Sequence, residues 1–115
     1  MGIELALHDG RPDGRRPNEG RRPAPAVLHL STDHGPALAE ALAEHARPTD
    51  HRLGRIDPYG DTHLNEQEAA AAFEEATALL ARCRTDRQRA AVRDLRNLLA
   101  NCAATPGSWL TFLGD

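Results

Sequence analysis

The segment DPYGDTHLNEQE, residues 57–68, carries the residue types that a calcium-binding loop uses. Such a loop takes carboxylate ligands at positions that include 1, 3, 5 and 12, and it needs glycine at position 6. Asp57, Asp61 and Glu68 fall on positions 1, 5 and 12. Position 3 is Tyr59, a poor ligand for a hard cation, and position 6 is a β-branched residue that disfavours the positive φ required there. We therefore predict no cofactor, and keep a degenerate EF-hand-like calcium regulator on these three carboxylates as an alternative.

The same residues are explained by the start of a helix. Asn65 is a favoured N-cap residue, and Glu68 stands three residues later, which is the spacing of a capping box. Asp61 is a short polar residue of the kind that satisfies backbone donors in turns. The turn before the helix holds Tyr59, the only tyrosine, between proline and glycine. We predict that this firm turn presents Tyr59 and Asp61 as contacts for a partner.

Catalytic chemistry has little support in the side chains. The six histidines show neither an HExxH motif nor a Cys/His zinc spacing. Asp33 could orient His34 as a general base near Ser31, which leaves a small hydrolase as a second alternative. The same polar residues are explained as the N-terminal cap of a helix. Trp109 is predicted to plug the core beside the last strand, and it also stays among the candidate partner contacts.

Apolar periodicity predicts the elements that position these side chains. The sequence IELALH alternates as a half-buried strand does, and residues 26–30 favour a second strand. Proline bounds a helix over 36–46. Two apolar stripes, one ending at Cys83 and one at Cys102, predict two further helices that form an antiparallel hairpin. The cysteines then lie near opposite ends of the hairpin, too far apart for a disulfide. The C-terminal WLTFLGD predicts a final strand.

These elements predict an α+β fold. A small antiparallel or mixed sheet of about three strands packs against a helical hairpin plus one further helix. The sheet combines both termini with the strand near Val27. One domain spans 1–115, with an Arg-, Pro- and Gly-rich loop at 9–25. This loop is predicted to be solvated, with a basic arm that docks on an acidic partner through Arg15 and Arg16 as the alternative.

Composition disfavours several classes of function. The formal net charge is -3 and aromatic residues make up 3% of the chain, so neither the basic face nor the stacking platform of a nucleic-acid binder is expected. The start lacks a signal sequence and no segment is long and apolar enough to span a membrane, which predicts a cytoplasmic protein with no membrane partner. Alanine supplies 20 residues. The core is therefore thin, and we expect another protein or self-association to cover part of the surface.

The loop RIDPYGDTHLN, followed by an amphipathic helix, and the C-terminal WLTFLGD together resemble a group of small uncharacterised bacterial proteins. Those proteins share a DPYGD loop and a closing Phe-x-Gly-Asp. The resemblance implies an immunity-type or regulatory partner of another protein. The Arg-rich segment after the first strand departs from that pattern. The resulting prediction is a small non-catalytic protein-binding module, an immunity protein or an enzyme regulator, that acts by occlusion.

Overall fold

The structure is a computed structural model that describes residues 2–11 and 26–114. Within these ranges the chain forms four strands and three α-helices. The strands are β1 (Ile3–His8), β2 (Val27–Ser31), β3 (Asp61–Asn65) and β4 (Trp109–Gly114). The helices are α1 (Gly35–His45), α2 (Glu66–Arg82) and α3 (Asp86–Ala104), and a short 3-10 turn, Leu53–Arg55, precedes β3. The predicted α+β class is confirmed.

The four strands form one antiparallel sheet in the order β2-β1-β4-β3. The strands near the two ends of the chain make its central pair, with Ile3 opposite Gly114 and His8 opposite Trp109. β2, the strand predicted near Val27, forms one edge. β3 forms the other edge, and it is a strand that the sequence pattern does not predict. Four of its five residues, DTHLN, are polar, so the apolar alternation that marks a strand is weak there.

The three helices pack on one face of the sheet and enclose the core. Alternating side chains of the central strands point into this core and are almost fully buried: Ile3, Leu5, Leu7, Leu110 and Phe112. α3 packs against both other helices. Five helical alanines are completely buried: Ala41, Ala69, Ala72, Ala76 and Ala91. Because their side chains end at Cβ, the helix backbones approach one another closely, as the alanine content predicts.

The capping box predicted at the start of α2 is present. The Asn65 side chain accepts the backbone N–H of Glu68 at 2.8 Å, and the Glu68 carboxylate accepts the backbone N–H of Asn65 at 3.0 Å. α3 begins with half of such a box, since Thr85 accepts the N–H of Gln88 at 3.1 Å. The amide group of Gln88 instead donates to Glu40 of α1 at 2.7 Å. This buried glutamine therefore ties two helices together.

The two cysteines, Cys83 and Cys102, are buried free thiols, in agreement with the prediction. Burial raises the pKa of each thiol. Both are therefore poor nucleophiles at neutral pH. In the part of the chain that the structure describes, no helix combines the length and the apolar character needed to cross a bilayer.

Candidate functional site

The exposed large apolar side chains of the described residues are concentrated on the edge strand β2. Val27, Leu28 and Leu30 are 54%, 50% and 55% exposed, and only Tyr59 joins them in this class. β2 pairs with β1 on one side, and no other described strand pairs with its opposite side. The outer backbone N–H and C=O groups of β2 therefore offer a template for an incoming strand.

β2 is anchored to the helix layer at its C-terminal end. Ser31 lies opposite Leu5 of β1, and the Ser31 hydroxyl donates a hydrogen bond to Asp94 of α3. Because side chains alternate along a strand, this bond places Ser31 on the helix side of the sheet and Leu30 on the other side. The C-terminal half of the exposed edge is thus anchored, and the register of β2 against β1 shifts once, between Leu7 and His8.

Tyr59 is 69% exposed, as its place on the predicted turn requires. The Asp57 carboxylate accepts the N–H of Tyr59 at 2.9 Å, and the N–H of Asp57 donates to the Thr62 hydroxyl at 3.3 Å. The carbonyl of Gly60 accepts the N–H of Gly114, at the end of β4, at 2.8 Å. Local hydrogen bonds therefore shape this turn, and β4 fixes it to the sheet.

The two motifs behind the resemblance, DPYGD and Phe-x-Gly-Asp, contact each other. A Cβ added at Gly114 would lie 2.6 Å from the carbonyl oxygen of Gly60 and 2.7 Å from that of Asp57. A Cβ added at Gly60 would lie 2.6 Å from the Asp57 carboxylate. Close packing thus requires glycine at position 114 and favours it at position 60. Packing within this chain therefore explains the two glycines of the motifs, independently of any partner that the turn contacts.

Of the other predicted contacts that the structure describes, Asp61 lies beside the Tyr59 turn and Trp109 lies away from it. Asp61 is exposed and pairs near the C-terminal end of β4, whereas Trp109 begins that strand. Four residues of extended strand separate these two ends by about 13 Å. Trp109 is partly buried, and the Arg11 guanidinium lies 5.3 Å from the centroid of its ring. The Trp109 side chain, predicted to plug the core, is therefore only partly enclosed.

The residues of the calcium alternative have other contacts. Glu68 accepts a backbone N–H in the capping box, and Asp57 accepts one in the turn of Tyr59. Among residues 2–11 and 26–114, no three His, Cys, Asp or Glu side chains are grouped so that they could hold a metal ion. The loop geometry is accounted for by these hydrogen bonds.

The residues of the hydrolase alternative also have other contacts. The Ser31 hydroxyl donates to Asp94, and His34 occupies the N-cap position of α1. The predicted basic contacts, Arg15 and Arg16, lie outside the described residues. The proposed basic arm thus stays a prediction.

A polar cavity of about 430 Å³ lies beside β3, and we call it the β3-edge cavity. It is lined by residues of the 3-10 turn region, β3 and the first turn of α2: His51, Arg52, Arg55, Thr62, His63, Leu64 and Glu68. The Glu75 carboxylate of α2 accepts the backbone N–H of Arg52 at 3.0 Å and that of Leu53 at 2.8 Å. α2 therefore holds in place the segment that supplies the arginines.

Two histidines lie on the sheet face opposite the helices. His63 Nδ1 is 2.9 Å from the hydroxyl oxygen of Thr111 on β4. The pKa of His8 is lowered, first by burial and then by the nearby His63, and Asp9 opposes this shift. His8 is therefore more readily neutral than an exposed histidine.

The sequence pattern did not identify either β2 or the β3-edge cavity as a surface of interest. A signal for β2 is present, since a short apolar strand that follows a Pro- and Gly-rich segment is typical of a sheet edge. For the cavity, Arg52 and Arg55 approach His63 only because β3 pairs with β4. Because β3 is mostly polar, the sequence pattern did not predict that it pairs with β4.

No model of a known protein family matches the chain, and neither a curated protein nor a solved structure matches it. The function is therefore inferred from the geometry of this chain.

Proposed function

We propose that the chain is a non-catalytic protein-binding module that docks an extended segment of another protein onto β2. The observation that carries the proposal is the concentration of exposed apolar side chains on an edge strand. Proteins usually protect such edges with charged residues, proline or bulges, because an open apolar edge promotes aggregation. The sequence of β2, VLHLS, contains no arginine, lysine, proline or carboxylate, and its only such feature is the register shift against β1 between Leu7 and His8. A partner that covers β2 explains why this edge lacks charge.

Addition of a strand uses both kinds of contact that β2 offers. The backbone groups of the open edge pair with the incoming strand. Alternate side chains of that strand then pack against the exposed apolar side chains of β2. Full burial of a Val or Leu side chain stabilises by about 1.5–3 kcal/mol, so covering the exposed half of Val27, Leu28 or Leu30 contributes about 1 kcal/mol each. Tight binding therefore requires further contacts.

Tyr59 is proposed as a second contact for the same partner. Its turn precedes β3, which forms the sheet edge opposite β2. Three strand spacings put these edges about 14 Å apart, within the reach of an ordinary interface of about 800 Å² per partner. Tyrosine is favoured at such interfaces because it buries a large area at a small entropic cost. Asp61 and Trp109 are the further contacts that we propose.

A partner held in this way would be inhibited by occlusion, since the domain would cover one of its functional surfaces. The motifs DPYGD and Phe-x-Gly-Asp resemble those of a group of small uncharacterised bacterial proteins, and that resemblance implies an immunity-type or regulatory role. We therefore propose an immunity protein or an enzyme regulator as the class of function. Neither role requires turnover by this chain.

A tagged chain expressed in its source cell tests the proposal. Leu30→Arg places a charge in the centre of the exposed edge, where it disfavours the addition of another strand. Ala78→Arg is the matched control, because Ala78 is exposed on α2, which packs near β3 and β4. We expect the wild type and Ala78→Arg to retain one partner in a fixed molar ratio, and Leu30→Arg to lose it. The melting temperatures of all three should agree.

Two results would contradict the proposal. One is a partner that Leu30→Arg retains as well as the wild type does. The other is a homodimer that Leu30→Arg dissociates, since β2 would then pair with a second copy of the chain and not with another protein. Light scattering on the purified chain distinguishes the two.

A further inference from the structure

The β3-edge cavity contains two arginine side chains that no described carboxylate pairs with. Arg52 and Arg55 line it, and neither guanidinium forms an ion pair with a residue of the ranges 2–11 or 26–114. The Nε atom of Arg52 is buried and has no hydrogen-bond partner in the same part of the chain. A ligand in the cavity cannot reach this enclosed Nε, but an anion there would offset the charge of the guanidinium that carries it.

The cavity has one lining carboxylate, and it is held by the backbone. Glu68 accepts the N–H of Asn65 at 3.0 Å, within the capping box. Glu68 lowers the net charge of the cavity without pairing with either arginine. The ring of His63 already uses Nδ1 in its 2.9 Å contact with Thr111. Its Nε2 has no hydrogen-bond partner among the described residues, so it is the ring nitrogen that a ligand would use.

The segment that carries the arginines is fixed before any ligand binds. Asp50 is only 7% exposed, and its carboxylate accepts the backbone N–H of Arg47 at 2.8 Å and pairs with Arg82 of α2 at 3.3 Å. The Glu75 carboxylate accepts the backbone N–H groups of Arg52 and Leu53. Since the backbone is already ordered, binding at this site loses less conformational entropy.

We infer that the β3-edge cavity binds an oxyanion of a small molecule, a phosphate or a carboxylate group, with Arg52 and Arg55 as the principal ligands. The planar guanidinium presents parallel N–H donors that match both kinds of oxyanion. A volume of about 430 Å³ suits a small metabolite. This site lies at the β3 edge of the sheet, and none of its lining residues is among the contacts proposed for the protein partner.

An NMR titration of the full chain with inorganic phosphate tests the inference. Succinate is the carboxylate probe, and sodium chloride at matched ionic strength controls for general screening. We expect saturable shifts of the backbone signals of residues 51–55 and 62–64 and of the His63 ring, with phosphate, succinate or both. The probe that saturates identifies the kind of oxyanion.

Arg55→Gln is the main variant, because Arg55 is exposed and its loss should not disturb the core. We expect it to weaken binding of the saturating probe at least about tenfold, which corresponds to about 1.4 kcal/mol. Arg87→Gln removes the same charge from an exposed position of α3 and should bind as the wild type does. The inference is overturned if neither probe saturates, if chloride produces the same shifts, or if both variants lose affinity equally.

Discussion

Gly114→Ala is the substitution whose effect follows most directly from the contacts in this structure. A Cβ there would lie 2.6 Å from the carbonyl oxygen of Gly60, and 2.7 Å from both the carbonyl oxygen of Asp57 and the carbonyl carbon of Pro58. All three atoms belong to the backbone, so none can rotate away as a flexible side chain would. The end of β4 and the turn that carries Tyr59 must therefore separate.

The expected cost has two parts. Overpacking of a close contact destabilises by about 1–3 kcal/mol. Separation also weakens the 2.8 Å hydrogen bond from the Gly114 N–H to the Gly60 carbonyl, which is worth about 1 kcal/mol. The lower entropy of alanine in the unfolded chain offsets about 0.4–1 kcal/mol of this loss. We expect a net destabilisation of about 2 kcal/mol, and a melting temperature lower by about 8 °C for a domain of this size.

Urea denaturation and thermal melting measure the effect, with Gly35→Ala as the control. Gly35 begins α1, and a Cβ there meets its nearest atom, the backbone nitrogen of Ile3, at an ordinary 3.5 Å. The control should be neutral or slightly stabilising, because alanine suits a helix better than glycine does. If Gly114→Ala changes stability no more than Gly35→Ala, the turn and β4 are not in the contact described.

Three further outcomes are expected. Asn65→Ala removes half of the capping box and should lower the unfolding free energy by about 1 kcal/mol in urea denaturation; calcium should leave the melting temperature unchanged, and a rise that Glu68→Gln abolishes would support a calcium site instead. Leu95 is completely buried, so Leu95→Ala should cost about 2–5 kcal/mol by the same measurement, and a loss below about 1 kcal/mol would mean that the core is loose there. Burial and His63 hold the pKa of His8 below its usual value, so the unfolded chain binds more protons and stability should fall as pH drops below about 6.5. The melting temperature of His8→Asn should fall less steeply over that range, and an equal slope would show that His8 is not responsible.

The elements with strong local signals could be predicted from the sequence. The N-cap of α2 needs only Asn65 and Glu68, three residues apart, and both hydrogen bonds are present. In β1 and β4, apolar residues recur at every second position, and this spacing alone indicates which face of the strand lies against the core. The exposure of Tyr59 followed from its neighbours, proline and glycine. Each of these features is decided within a few residues of the chain.

The features that depend on distant pairing could not be predicted. β3 becomes a strand because β4 lies beside it, and four of its five residues are polar. The β3-edge cavity exists only after that pairing brings His63 near Arg52. Whether β2 is an edge or a central strand depends on the order of all four strands. Tertiary context therefore decided which apolar residues stay exposed.

Amide hydrogen exchange of β2 tests the central claim most directly. The tagged chain would be compared alone and in complex with the partner that co-purifies with it. Strand addition forms new backbone hydrogen bonds along the open edge, so exchange of residues 27–31 should slow in the complex. Residues 77–81 of α2 should exchange at the same rate in both samples. An unchanged exchange rate of β2 in a stable complex would contradict docking at this edge.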